Sequence, residues 1–354
     1  MDSEEKRTTD VAPEMDYDWK LRKEAEFWGK MARVRWEGGI PMTMDFSLAT
    51  RYRVRRAALG WGDYFQDPLL ESLTPYGRAK IRFVRKARSV EGSRALDLGC
   101  GAGWLALELA RSGKSVDALD ISEEEQTVAR EYQATLTEEV PGSINWICTD
   151  LNQHKTDELE YDVVTAWDAL HHIQNLKQLY EEIDKALKPG GHFLVSERVW
   201  GTDKPSVRAR IGKYLELFVW SFLPTPSPYT YRRKFKQLFG ELGLFFRTKI
   251  LRQKVEMIPW QLDSDDFCSP FEEASGREIV DLIEDMFEVE KIESYGGFTE
   301  EIQRSLYLPR FLRFPVLLFL SWLDHAAIKL HLLEGKVSII YARKKGMEQE
   351  SSQS

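Results

Sequence analysis

Cysteine is scarce in this chain, with three residues among 354, at Cys100, Cys148 and Cys268. Three cysteines cannot form a paired disulfide framework, and their spacing matches no metal-ligand motif. The first residues, Met1 to Arg7, are polar and acidic and lack the apolar stretch that a secretory signal needs. We therefore expect a cytoplasmic protein.

Long apolar runs are also lacking. The strongest, Phe314 to Leu323, ends at Asp324, whereas a bilayer span needs about 20 apolar residues, so we expect no transmembrane helix. Basic residues flank the run at Arg310, Arg313 and Lys329. Two interpretations stay open: a buried or lid helix, or a helix that contacts a membrane surface or an apolar substrate through residues 311–333.

Positive charge is in deficit overall, with a net charge of −8, which disfavours a general nucleic-acid binder. The segment before residue 90 is nevertheless basic. Its charges belong either to a solvated helix face or to a surface that attracts a phosphorylated or acidic substrate. These residues are Arg51, Arg53, Arg55, Arg56, Arg78, Lys80, Arg82, Arg85, Lys86 and Arg88.

One short segment predicts a nucleotide-binding corner. Residues 94–98 form an apolar strand pattern, Asp97 to Gly103 reads D-L-G-C-G-A-G, and a helix pattern begins at Leu105. The glycines allow a tight turn and let a ligand approach the backbone beside a helix N-terminus. A dinucleotide fingerprint would place its third glycine where Trp104 stands, so the spacing indicates another ligand.

The segments that follow predict alternating strands and helices. A second strand ends at Asp120, about 20 residues past the glycines, where an acid can accept hydrogen bonds from both ribose hydroxyls. Further strands cover residues 144–148, 161–166 and the segment from the L-K-P-G-G stretch that begins at Leu187, with a helix pattern over 176–187. Such alternation predicts a doubly wound parallel sheet with ligands at the carboxyl ends of the strands.

In this order and at these spacings, residues 90–200 resemble the class I S-adenosylmethionine-dependent methyltransferases. The resemblance implies an α/β, Rossmann-like, seven-stranded sheet, mostly parallel, with an antiparallel seventh strand over 336–343 at the sheet edge. It implies S-adenosylmethionine as cofactor and S-adenosylhomocysteine as product, with Asp120 on the ribose, and Asp150 and Leu151 on the adenine. The full implied cofactor set is Asp97, Gly99, Cys100, Gly101, Gly103, Asp120, Ile121, Asp150, Leu151 and Trp167.

The chain outside the core predicts coverings for this site. We expect a helical extension over residues 1–90 that covers the cofactor, the core at 91–200 and a substrate-cap insertion at 201–275. Residues 276–345 should complete the sheet, with strand six over 287–294 and an apolar helical insertion at 298–335, followed by a disordered tail at 346–354.

Candidate catalytic residues follow strand four, in the stretch from Trp167 to Ile173. Asp168, His171 and His172 lie on the positions of the E-x-x-E-H stretch of ubiquinone-type O-methyltransferases. A histidine can take a hydroxyl proton near neutral pH, and His172 is preferred over His171 as this base. Alternatively, one histidine caps a helix turn and the other packs against the core. The family stretch can hold a divalent cation, but His171 in place of the second acid disfavours a hard ion, and no metal is expected.

Several motifs that the sequence lacks narrow the class of molecule that accepts the methyl group. Residues 166–169 read A-W-D-A rather than the N/D-P-P-Y/F tetrad of amino-methylating nucleic-acid enzymes, no nucleophilic cysteine lies nearby, and no paired-glutamate loop is evident. By elimination we predict O-methylation of a small or lipid-linked metabolite. The alternative is a methyltransferase-fold protein that acts on or binds a protein or RNA, with or without catalysis. Oligomeric state is left undetermined by the sequence.

Overall fold

The computed structural model describes the core of the chain and much of its surroundings. The described residues are 17–39, 44–49, 54–55, 65–66, 75–156, 159–198, 206–223, 235–236, 238–240, 242–243, 246, 276–299, 302, 306 and 308–346. Most of the predicted cap at 201–275 and the tail at 347–354 lie outside these ranges, and the proposed domain boundaries stay predictions.

Seven strands form the main sheet. They are β1 (Arg94–Leu98), β2 (Ser115–Asp120), β3 (Ser143–Cys148), β4 (Tyr161–Trp167), β5 (Leu187–Arg198), β6 (Phe287–Tyr295) and β7 (Val337–Lys344). A separate antiparallel pair joins Val54–Arg55 to Phe65–Gln66. Apolar runs of four to six residues bounded by turns explain the central strands, because both faces of a parallel sheet are covered.

Helices precede and connect these strands. They are α1 (Tyr17–Glu37), α2 (Phe46–Ala49), α3 (Pro75–Ser89), α4 (Trp104–Arg111), α5 (Glu123–Thr135), α6 (Leu176–Ala186), α7 (Val207–Phe222), α8 (Gly276–Met286) and α9 (Arg310–Lys329). A single 3₁₀ turn, Leu170–His172, follows β4. Helix α6 ends one residue earlier than predicted, because Leu187 already pairs with Tyr161 as part of β5.

The strand order is β3-β2-β1-β4-β5-β7-β6, with β7 antiparallel to both neighbours and every other pair parallel. This confirms the predicted fold class: a Rossmann-like, doubly wound sheet with an antiparallel seventh strand. The predicted position of that strand at the sheet edge is wrong, since β7 lies between β5 and β6. Its six leading residues are all buried, whereas β6 exposes Glu288 and Lys291, and charged side chains suit an edge strand.

Alternating side chains build a core on each face of the sheet. In β1, Leu96 packs with α6 and α8 on one face, and Ala95 packs with α3 and α4 on the other. This alternation follows from the two-residue period of a strand. Helices therefore cover both faces, and the carboxyl ends of the strands stay available for a ligand.

Helix α1 lies against α5 and closes over the carboxyl end of β2. The Ser122 hydroxyl donates to the carbonyl oxygen of Ala25 at 3.0 Å, and Arg33 pairs with Glu124 at 2.6 Å and with Glu131 at 2.7 Å. Gly29 permits this approach, since a Cβ there would lie 2.7 Å from the Glu124 Cβ. A helix from the N-terminal segment thus lies at this end of β2, while the prediction that residues 1–90 cover the cofactor stays a prediction.

Helix α9 is longer than the apolar run indicates, because it continues past Asp324 to Lys329. Within the described part of the chain, Phe311–Lys329 has the length and apolar composition of a membrane-crossing helix, and 22% of that stretch is buried. Core helices of other proteins have the same length and composition, so this property alone does not decide how α9 is used.

Candidate cofactor and acceptor site

The glycine corner after β1 has the backbone conformation that the sequence predicts. Gly99, Gly101 and Gly103 have φ values of +62°, +52° and +82°, a region that residues with a Cβ rarely adopt. A Cβ on Gly99 would lie 2.4 Å from the Ala169 Cβ, and one on Gly103 would lie 2.2 Å from the Trp146 ring. The glycines are therefore packed tightly against Ala169 and the Trp146 ring. The corner leads directly into the N-terminus of α4.

Asp97 offers an unused acceptor at this corner. Its Oδ1 accepts from the Thr165 hydroxyl at 2.8 Å, while its buried Oδ2 accepts no hydrogen bond within the described residues. Burial, together with the nearby charge of Asp120, raises the pKa of Asp97 to about 7, and the Thr165 hydrogen bond opposes this rise. An unpaired buried acceptor is costly, so a cationic or hydrogen-donating ligand group fits this atom.

Asp120 is fixed by the backbone around it. Its Oδ2 accepts from the Gly101 N–H at 2.8 Å, and its Oδ1 accepts from the Ser122 N–H at 2.9 Å. Each oxygen keeps a second lone pair, which suits the two hydroxyls of a ribose. Burial raises the pKa of Asp120, and the charge of Glu24 adds to the rise against the backbone hydrogen bonds.

Glu125 is an acid at this corner that sequence reasoning missed. Its carboxylate lies 3.5 Å from where a Cβ on Gly101 would be. Burial and the charge of Asp120 raise its pKa to about 8, while Arg35 lowers it. In the sequence, an acid in the first turn of a helix indicates only a favourable interaction with the helix dipole, so Glu125 did not stand out as a site residue.

Asp150, the predicted adenine contact, already binds a protein group. Asp150 Oδ2 accepts from the Tyr17 hydroxyl at 2.6 Å, and Oδ1 accepts from the Asn152 backbone N–H at 2.9 Å. Burial and the hydrogen bond to Asp150 raise the pKa of Tyr17. Leu151 is buried next to this carboxylate, as an apolar flank for a ring would be.

The other predicted cofactor residues differ in their surroundings. Cys100 is buried, and its N–H donates to the Leu119 carbonyl oxygen at 2.9 Å. Ile121 lies between Asp120 and the α5 N-cap, and its carbonyl oxygen accepts from the Cys148 thiol at 3.4 Å. Trp167 instead packs edge-on against Phe83 and Trp104, with ring centroids 5.0 and 5.5 Å away.

Both candidate histidines carry a carboxylate partner. His171 Nδ1 lies 2.7 Å from Oε1 of Glu197, whose other oxygen accepts from the Leu170 N–H at 2.8 Å. Burial lowers the pKa of His171, but the hydrogen bond and charge of Glu197 outweigh it, and the pKa is raised. The ring centroid of His172 lies 4.0 Å from that of His171.

His172 faces helix α1. Its Nδ1 lies 3.2 Å from Oε1 of Glu24, which also accepts from the Trp28 indole N–H at 2.6 Å. The rings of Trp28 and His172 meet edge to face, with centroids 5.7 Å apart. Neither Glu24 nor Glu197 was predicted as a site residue from the sequence.

The backbone before the histidine pair is strained, and three side chains that carry metal-ligand atoms lie close together there. Asp168 has a φ of +55°, and residues other than glycine keep such values mostly where the surroundings impose them. Ligand atoms of Asp168, His171 and Glu197 lie within 4.8 Å of one another. Asp168 is meanwhile paired with Arg198 at 3.1 Å. The expectation that the site holds no metal stays a prediction, which elemental analysis of the purified protein would test.

The structure brings most of the predicted residues to one place. The glycines, Asp97, Asp120 and Asp150 surround the carboxyl ends of β1 to β3, and the histidine pair follows β4 beside them. This arrangement can hold a nucleoside at one end and a histidine base at the other.

Comparison with known proteins agrees with this geometry. Residues 96–195 match the family model described as a methyltransferase domain. A ubiquinone biosynthesis O-methyltransferase from Hydrogenovibrio crunogenus is 30% identical over 137 residues, which is 38% of this chain and 54% of that protein. The Vibrio cholerae enzyme of the same name is 34% identical over 114 residues, covering 32% and 45% of the two chains. The chain thus spans about half the length of the curated relatives it matches.

Solved structures of similar shape include methyltransferases. Geranyl diphosphate C-methyltransferase from Streptomyces coelicolor has a TM-score of 0.48 and 14% identity, covering 92% of this chain and 98% of its own. A methyltransferase from Methanosarcina mazei has a TM-score of 0.43 and 16% identity, covering 74% and 97%.

The matched domain and the strand order define a Rossmann-like methyltransferase domain. Residues 96–195 are thus a domain of the class I S-adenosylmethionine-dependent methyltransferase type, as the sequence motifs predict.

Proposed function

We propose that this protein transfers a methyl group from S-adenosylmethionine to a hydroxyl of a small, lipid-like acceptor. The observation that carries the proposal is the pair of histidines, each held by a glutamate, directly beside the predicted cofactor corner. A hydroxyl acceptor must lose its proton on methylation, and a carboxylate-oriented histidine is a common general base for that step.

The cofactor residues support the donor half of this reaction. Asp120 would hold the ribose hydroxyls, Asp150 and Leu151 the adenine, and Asp97 the amino-acid end, while Gly99 to Gly103 leave room for the ligand against the backbone. The bound sulfonium would supply an activated methyl group for in-line displacement. The protein then has to position the acceptor oxygen and remove its proton.

Two histidines are candidates for the general base. A histidine whose Nδ1 is held by a carboxylate leaves Nε2 to accept a proton, and both His171 and His172 have such a partner. His172, the candidate preferred from the sequence, lies beneath Glu24 and Trp28 of α1, the helix that covers the cofactor corner. His171 has the shorter contact, to the fully buried Glu197. We retain His172 as the first candidate and His171 as the second.

The acceptor class rests on the relatives and on elimination. The curated relatives are named for O-methylation in ubiquinone biosynthesis, which is a reaction at a hydroxyl of an apolar molecule. The macromolecule-binding alternative has less support, because three of the six basic side chains of α3 form ion pairs within the chain. Arg82 pairs with Glu293, Lys86 with Glu290 and Arg88 with Glu108.

The test uses a donor with a labelled methyl group and a cell extract fractionated into lipid, small-molecule, protein and RNA pools. We expect label in the lipid or small-molecule pool, in a product that carries a methyl ether. Label confined to protein or RNA would overturn the acceptor class. Asp120→Ala is the matched control, because it removes the ribose contact and should abolish both donor binding and labelling.

The base is tested on the purified acceptor by single turnover. We expect His172→Ala to lower the methyl-transfer rate at least about 100-fold, the usual contribution of a general base, with donor affinity unchanged. His171→Ala is the comparison. Wild-type rates in both variants would show that positioning alone drives the reaction.

A further inference from the structure

Helix α7 has its polar and apolar faces reversed. Its buried residues are small or polar, namely Ala209, Gly212, Glu216 and Ser221, whereas its outward stripe consists of Val207, Ile211, Leu215, Phe218 and Phe222. An amphipathic helix on a soluble domain normally turns its large apolar side chains inward. The Glu216 carboxylate is instead held inside by an ion pair with Lys336.

Helix α9 repeats this reversal. Arg313, Ser321 and Asp324 lie on its buried side, and the Asp324 Oδ1 accepts from the Phe298 N–H at 2.8 Å. Every exposed residue between positions 311 and 323 is apolar; these are Phe311, Leu312, Phe314, Pro315, Leu318, Phe319 and Trp322. The side chains of Phe319 and Trp322 are stacked on each other and are 58% and 64% exposed.

Both helices pack on one buried cluster formed by Phe298, Ile302 and Leu333. Helix α7 contributes Val219 and Trp220 to its rim, and α9 contributes several residues from Leu320 to Ile328. The apolar stripes of the two helices lie away from this shared cluster. We call these two stripes together the outer apolar face. Ring contacts extend it from Phe222 to Phe235 and Phe239, with centroids 5.4 and 6.3 Å apart.

The exposed charges on the two helices themselves have one sign. Each helix contains a single acid, Glu216 in α7 and Asp324 in α9, and both are buried. The exposed charges on the two helices are basic, with Arg208 near the start of α7 and Lys329 at the end of α9. An apolar face bordered by cations complements a bilayer surface with anionic headgroups, where aromatic side chains are also favoured.

We propose that the outer apolar face docks this protein onto an anionic lipid bilayer, with α7 and α9 lying in the plane of the interface. Helix α9 does not cross the bilayer, because one side of it, from Arg313 to Asp324, is buried in the fold along three turns. A second copy of the chain is a poorer partner for this face. The basic residues at the edges of the two copies would repel each other, and these helices expose no acid to offset that repulsion.

The docking does not depend on the proposed function, because it is measured without cofactor or acceptor. The full-length protein is sedimented with vesicles of phosphatidylcholine alone, and with vesicles in which one third of the lipid is phosphatidylglycerol. We expect binding to the anionic vesicles that weakens as salt is added and is several-fold weaker on phosphatidylcholine alone. Absence of binding to the anionic vesicles would overturn the proposal.

Variants place the contact on the outer apolar face. Phe319→Glu with Trp322→Glu, and separately Phe218→Glu, should each weaken vesicle binding at least about tenfold, because exposed apolar area is replaced by a like charge. Leu159→Glu is the matched control: this leucine is 51% exposed and lies far along the chain from both helices. The substituted side chains are exposed, so the thermal unfolding midpoint should be unchanged.

Two results contradict the proposal. Equal loss of binding in Leu159→Glu would mean that added negative charge, rather than this face, controls the association. Self-association of the wild type in lipid-free buffer, abolished by Phe319→Glu with Trp322→Glu, would identify the face as an interface between copies. Methyl transfer to a water-soluble acceptor should be unaffected by these variants, which separates a failure of docking from a failure of the proposed reaction.

Discussion

The Tyr17 hydroxyl donates a hydrogen bond of 2.6 Å to Asp150 Oδ2, joining the first turn of α1 to the residue that follows β3, 133 positions away in the chain. Asp150 is the carboxylate that we assign to the adenine amine. A phenol and an adenine amine would therefore use the same oxygen, and the proposed cofactor would compete with α1 for it.

Removing the Tyr17 hydroxyl should strengthen donor binding. In Tyr17→Phe the ring remains while the competing donor is lost, so we expect the Kd for S-adenosylmethionine to fall roughly fivefold, the equivalent of a net hydrogen bond of about 1 kcal/mol. Isothermal titration calorimetry measures the change, with Asp150→Ala as the control that should weaken binding. Weaker binding in Tyr17→Phe would mean that the hydroxyl closes over bound cofactor instead of competing with it.

Asp97 should make donor binding release a proton. Its pKa of about 7 means that the free protein holds a proton there below neutral pH, and a cationic ligand favours the ionised form. We expect cofactor binding to release most of a proton at pH 6 and little at pH 8.5. Calorimetry in two buffers of different ionisation enthalpy measures this release.

Asp97→Asn tests whether Asp97, rather than a neighbouring acid, releases the proton. The amide oxygen of the asparagine can still accept from Thr165, but the side chain no longer titrates. The proton release should disappear in that variant. If it persists and is lost in Glu125→Gln instead, the raised pKa of Glu125, about 8, is the source. In the ligand-free wild type, the folded-state pKa of Asp97 lies above the unfolded value, so its contribution destabilises the fold progressively as the pH rises from about 4 to about 7.

Two glycines of the corner, Gly101 and Gly103, should tolerate alanine unequally. Gly101→Ala meets only the Glu125 carboxylate at 3.5 Å, so its cost is the left-handed backbone, about 1 kcal/mol of unfolding free energy. Gly103→Ala adds a clash with the Trp146 ring and should cost at least about 3 kcal/mol. Chemical denaturation compares them.

Gly113→Ala is the matched control for backbone strain, since its φ is +89° and nothing lies within 4 Å of the added Cβ. Equal destabilisation in Gly103→Ala and Gly113→Ala would show that the Trp146 ring moves aside at no cost. The spacing of the corner would then reflect backbone conformation alone.

The glycine corner and the alternation of strands and helices could be predicted because their signals are local. Asp97 to Gly103 carries its turn, its acid and the start of α4 within one short segment, and Asp120 follows at a fixed distance. Glu197 could have been found from register, since Trp167 pairs with Ser196 and the next residues of both strands become neighbours. That step requires the pairing of β4 with β5, which their parallel order predicts.

Other features depend on contacts between distant segments. Tyr17 and Glu24 reach the site only because α1 packs on α5, and no periodicity in residues 17–37 indicates which strand ends the helix will cover. The position of β7 inside the sheet had a signal in its apolar run, but the family expectation placed it at the edge. The reversed faces of α7 and α9 were hidden because an apolar run predicts a helix without telling which side is buried.

The two glutamates that hold the histidines should reveal the base through the pH dependence of kcat/KM. Glu197 raises the pKa of His171, so Glu197→Gln should lower that pKa. A general base works in its neutral form, and the acid limb of the profile would then move to lower pH if His171 is the base. If His172 is the base, Glu24→Gln should move the acid limb and Glu197→Gln should leave it in place.

Both glutamines can still bond a ring nitrogen, so a shift in the limb reports the lost charge rather than a lost contact. An acid limb unchanged in both variants, with wild-type rates in His171→Ala and His172→Ala, would show that neither histidine removes the proton.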